Sequence, residues 1–62
     1  MEQKEIREFE AQMNRYASAS YEGDVPFGAR LFYRAEGMAI ILRELGLKVS
    51  FDAEQRRYSV TA

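Results

Sequence analysis

The side chains that carry most enzymatic chemistry are thinly represented in this chain. It has no histidine and no cysteine, which leaves four tyrosines, four serines, two lysines and the carboxylates as nucleophiles, bases or ligands. None of Ser18, Ser20, Ser50 and Ser59 sits in a nucleophile elbow or a triad context. Glu22 and Asp24, with Gly23 between them, fall short of the ligand set of a calcium loop, and capping of a following helix explains Asp24. Gly23, Gly28, Gly37 and Gly46 form no phosphate-cradling loop, and no Lys-Ser or Lys-Thr follows them. A chain of 62 residues also hardly encloses the few hundred Å³ that small-molecule sites usually need. The expectation is a non-enzymatic protein with no catalytic residue, no cofactor and no metal.

Two other kinds of chemistry remain. Seven of the basic residues are arginine, and Arg30, Arg34, Lys48, Arg56 and Arg57 mark a candidate nucleic-acid surface. Tyr33, Gly37 and Ile40, at spacing i, i+4, i+7 with Arg30 and Arg34 beside them, mark a candidate protein-interaction surface on a helix. Choosing between them requires the elements that position these residues.

Sixty-two residues make a single domain, expected over 1–62, close to the size at which one core is marginal without a disulfide, a metal or association. With 47% hydrophobic and 31% charged residues the composition is globular. The net charge of -1 argues against a strong electrostatic grip on nucleic acid or on an anionic membrane. The charges are uneven, since residues 1–24 carry three basic and six acidic groups and residues 25–62 carry six basic and four acidic ones. The longest uninterrupted apolar run, Met38 to Leu42, is too short to span a bilayer, so no membrane association is expected. The lack of cysteine fits a reducing interior, and the expected location is the cytoplasm.

Ile6, Phe9, Met13, Tyr16 and Ser20 recur at spacings of three and four and predict a helix from Glu2 to about Ser20 with one narrow apolar stripe. Such a stripe also suits a coiled-coil seam, but it is too short for that, and a short connection favours an antiparallel neighbour in the same chain. Ala17, Ser18, Ala19 and Ser20 are small enough to admit another backbone. Gly23 as a left-handed stop, Asp24 as N-cap and Pro26 in the first turn predict a second helix from near Val25 or Pro26 to Leu45. Its core stripe is expected to be Leu31, Ala35, Met38, Leu42 and Leu45, with Ile41 at the edge. Gly46 and Leu47 then carry the signature of a Schellman stop, with Leu47 reaching back to Leu42.

"LKVSF" and "RYSVTA" alternate with period two. They predict a hairpin in which Phe51 faces Tyr58, Val49 faces Val60, Leu47 faces Ala62 and Asp52 pairs with Arg57 beside the turn Ala53-Glu54-Gln55-Arg56. A lone hairpin is marginal in water, so its apolar face should lie on the helices. The expected fold is α+β, two antiparallel helices followed by a C-terminal two-stranded β-hairpin (α-α-β-β).

The second helix is then apolar on two sides. Either it is sandwiched, with Gly37 admitting a bulky neighbour such as Phe9 or Phe51, or its second face meets another chain. On the latter arrangement the protein is a small interaction module that binds itself or a larger protein. Tyr33 and Ile40 would then be anchors, Gly37 the close-approach point, and Arg30 and Arg34 the polar rim. The alternative is a nucleic-acid-binding regulator resembling a reduced winged helix, in which a helix plus hairpin present Arg30, Arg34, Lys48, Arg56 and Arg57. Against it stand Glu36 and Glu44 among the arginines and the acidic first helix.

Overall fold

The computed structural model describes residues 2–22 and 25–62, apart from the side chains of Val25 and Phe27. The roles expected of Gly23 and Asp24 lie outside the described residues. The element order is α1 (Gln3–Ser20), α2 (Val25–Glu44), β1 (Lys48–Asp52) and β2 (Arg57–Thr61), with β1 and β2 antiparallel. This is the α-α-β-β arrangement expected from periodicity.

The ends of the elements follow local chemistry. The Glu2 N–H donates to the Glu5 carboxylate at 3.4 Å, where negative charge also favours the N-terminus of α1. Pro26 falls in the first turn of α2, where a missing N–H breaks no helical bond. At the far end, the Leu47 N–H donates to the Leu42 carbonyl (3.1 Å) and the Gly46 N–H to the Arg43 carbonyl (3.0 Å). These are the two bonds of a Schellman motif, and Gly46 supplies the left-handed residue at φ 92°. The hairpin register pairs Val49 with Val60, Phe51 with Tyr58 and Asp52 with Arg57, as the alternation requires. The paired ladder begins at Lys48–Thr61, so it does not extend to Leu47 and Ala62. Asp52 does not form an ion pair with Arg57. Its Oδ1 accepts the N–H groups of Glu54 (2.9 Å) and Gln55 (3.1 Å) and so holds the turn.

The core is assembled from three elements: Ile6, Met13 and Ala17 of α1, Ala35, Ala39 and Leu42 of α2, and Tyr58 and Val60 of β2. Phe32 joins the helices to the hairpin, edge-on to Phe51 with centroids 5.5 Å apart, while Phe51 stacks obliquely on Tyr58 at 4.8 Å. Three expectations of burial are corrected here. Leu45 is 62% exposed, because the Schellman turn directs the chain away where α1 is just beginning. Phe9 is 39% exposed, because α1 turns its face partly toward the hairpin and leaves this ring at the rim of a groove shared with Met38. Ala39, outside the expected stripe, is fully buried.

The reason α1 turns is a polar one. Arg7, Glu10 and Asn14 lie at i, i+3 and i+7 and face the outer edge of β2. Asn14 Nδ2 donates to the Tyr58 carbonyl (3.2 Å), and its Oδ1 accepts the Tyr58 N–H (2.6 Å). One helical turn away, a Glu10 carboxylate oxygen accepts the Val60 N–H (2.8 Å), and Arg7 donates to the Val60 carbonyl (2.6 Å). Arg7 and Glu10 also pair with each other at 2.9 Å. The match is geometric, since four helical residues rise about 6 Å and two strand residues about 6.8 Å. The outer edge of β1 is treated differently. Arg43 donates to the Val49 carbonyl (3.0 Å), while the Phe51 amide and carbonyl, aimed the same way, have no partner among the described residues.

The two helical glycines of α2 do opposite things. A Cβ on Gly28 would strike the backbone carbonyl of Ser20, so the small residues at the end of α1 do admit a backbone, and Gly28 is its close-approach point. A Cβ on Gly37 would meet nothing within 4 Å, so neither Phe9 nor Phe51 fills that notch. Gly28→Ala is expected to destabilise the chain by about 1–3 kcal/mol through forced displacement. Gly37→Ala is expected to stabilise it by up to about 1 kcal/mol through helix propensity. Urea midpoints at low chain concentration test both signs. By the same measurement, Asn14→Ala should cost about 1–3 kcal/mol, because it strands both backbone groups of Tyr58.

Candidate docking surface

α2 is covered on two sides. Met38 borders the groove against α1, and Phe32 packs on the hairpin aromatics. Its third side is open. Tyr33 is 73% exposed, Ile40 53% and Ile41 59%, with Gly37 between them leaving a gap at the centre. Projected at 100° per residue, Tyr33, Gly37, Ile40 and Ile41 occupy a sector of about 100°. Single exposed apolar side chains are ordinary; several on one sector of one helix form a patch.

Polar groups frame it. Arg30, Arg34 and Glu44 are all exposed, and Arg34 reaches the α1 border beside Tyr16. The Tyr16 phenol is held below its ordinary value, first by hydrogen bonding with Gln12 and then by hydrogen bonding with Arg34. Of the residues singled out in the sequence, Tyr33, Ile40, Arg30 and Arg34 are exposed and Gly37 is half-buried among them. Sequence periodicity missed that Ile41, assigned to the edge of the core, belongs to the outer face.

The five cations of the nucleic-acid alternative are not gathered. Arg30 and Arg34 stand on the outer side of α2, away from the hairpin. Lys48 begins β1, at the opposite end of the hairpin from Arg56 and Arg57. The Arg56 guanidinium carbon lies 4.0 Å from the centroid of the Tyr21 ring, a cation–π contact. Arg57 shares a groove with Glu10, Asn14 and Glu22. Among the described residues none of these arginines forms an ion pair with Glu36, Glu44 or Glu8; the pair present there joins Arg7 to Glu10.

The polar contact of Tyr58 at the core is structural in its geometry. The nearly enclosed Tyr58 hydroxyl donates to the Glu36 carboxylate at 2.5 Å, and its ring is sealed between Phe32 and Phe51. Burial, and after it the hydrogen bond and negative charge of Glu36, push the phenol well above its ordinary 10.0. The unfolded phenol loses its proton near pH 10.0 while the folded one keeps it, so this group's contribution to stability is full below that pH and falls as pH rises above it. Tyr58→Phe should be less stable near neutrality but show a shallower alkaline decline, read from urea midpoints on either side of pH 10; the opposing shift at Tyr16 is common to both proteins and cancels. Among the described residues no group of three or more His, Cys, Asp or Glu side chains is placed to hold a metal ion, and no helix is long and apolar enough to cross a membrane. No family model matches this chain, and neither a curated protein nor a solved structure is significantly similar to it.

Proposed function

We propose that this chain is a small, non-enzymatic protein-interaction module that docks through the outer face of α2. Tyr33 and Ile40 serve as anchors, Gly37 as the point of close approach, and Arg30 and Arg34 as a polar rim that sets orientation. The observation that carries this reading is the open notch. Gly37 gives up about 1 kcal/mol of helix stability relative to alanine, and among the described residues nothing stands within 4 Å of the vacated position. A contact that needs the helix backbone bare accounts for that cost. The nucleic-acid reading draws less support, because its five cations are divided between the outer face of α2 and the two ends of the hairpin, and Arg56 is already engaged with Tyr21. The same proposal places the module in the cytoplasm, on the strength of a cysteine-free chain.

The test is site-specific photo-crosslinking in cells, with a benzophenone amino acid at position 33 and, as control, at the exposed Ser59 position on the outer face of the hairpin. Position 33 should give discrete protein adducts that Ile40→Asp abolishes, and position 59 should not. Equal adducts from both positions, or none from position 33, would remove the docking reading.

A further inference from the structure

The face centred on Gly37 is complementary to itself. Counting outward along α2, Arg30 and Glu44 stand seven residues on either side of Gly37, Tyr33 and Ile41 four, and Arg34 and Ile40 three. All six side chains are exposed. Seven residues are close to two helical turns, so Arg30, Gly37 and Glu44 fall on one line down the helix surface. A two-fold axis through Gly37, perpendicular to the helix, exchanges each position with its mirror. It sets Arg30 against Glu44 of the second copy, Tyr33 against its Ile41, and the stem of Arg34 over its Ile40, each contact occurring twice. Gly37 meets Gly37 at the crossing, where two helix backbones must come closest.

From this pattern we infer that the occupant of the docking surface is a second copy of the same chain, its α2 antiparallel to the first and crossing it at Gly37. The inference rests on the docking reading above and specifies its partner. Charge complementarity selects the arrangement. A parallel pairing in register sets Arg30 against Arg30 and Glu44 against Glu44, and only the antiparallel pairing centred on Gly37 places opposite charges at both ends with apolar side chains between them. Burial points the same way, since pairing covers Tyr33, Ile40 and Ile41, which the described elements leave bare.

Equilibrium sedimentation from about 1 to about 500 µM chain tests it. The wild type should move from 7.2 kDa toward twice that mass. Arg30→Glu alone and Glu44→Arg alone should each weaken association at least about tenfold, since each puts like charges together at both ends. Gly37→Leu should do the same by holding the helices apart, with circular dichroism confirming that every variant remains folded. An equimolar mixture of Arg30→Glu and Glu44→Arg should recover wild-type association, because the mixed pair restores opposite charges at both ends. A wild type that stays monomeric throughout overturns the second copy as occupant but leaves docking to a different protein standing if position 33 still crosslinks. A dimer whose single variants are unaffected, or whose mixture does no better than either variant alone, overturns the antiparallel pairing at Gly37.

Discussion

The architecture depends on side chains of a helix completing the hydrogen bonds of a strand. A two-stranded sheet leaves half its backbone groups facing outward, and among the described residues no third strand meets them. Arg7, Glu10 and Asn14 take that place along β2, supplying a donor and an acceptor to each of Tyr58 and Val60. Their partly buried bonds fix the rotation of α1 about its axis. That rotation turns Ile6, Met13 and Ala17 inward, leaves Phe9 at the rim, and divides α1 between two neighbours. With α1 committed to β2 on one side and to α2 on the other, no other element among the described residues covers the third side of α2.

Much of this was legible in the residues themselves. The Schellman stop at Gly46, the hairpin register and the order of elements each rest on a local rule that needs few long-range contacts to operate. Several misplaced residues share a cause. A core drawn as one stripe per helix suits one packed neighbour, whereas α1 and α2 each pack on two elements. Ile41 then looks like core when it is outside it, and Ala39 and Phe32, between stripes, are passed over, while Leu45 is turned outward by the Schellman stop. The bonds from Arg7, Glu10 and Asn14 were invisible for a different reason. A polar side chain that pairs with strand backbone has the same periodicity as one facing water, and only the tertiary arrangement separates them.

The glycines of α2 show how one residue type serves two physical ends. At Gly28 the missing side chain is occupied space, because the Ser20 backbone stands there and closes the helix pair. At Gly37 the missing side chain is vacant space on an apolar face. Sequence periodicity drew attention to Gly37 for its position among Met38, Ala39, Ile40 and Ile41, yet gave no hint that Gly28 was the one holding the helices together. The difference lies entirely in what stands opposite.

The unequal edges of the hairpin carry a consequence for misassembly. One side of the sheet is sealed by α1, and the other is guarded mainly by the single guanidinium of Arg43. If that guard is displaced, another strand can join at β1 but never at β2. Two molecules joined in this way would present sealed sheet borders at both ends, so strand-by-strand growth stops at the pair. A cross-β fibre needs two open edges on every unit, and this hairpin leaves one.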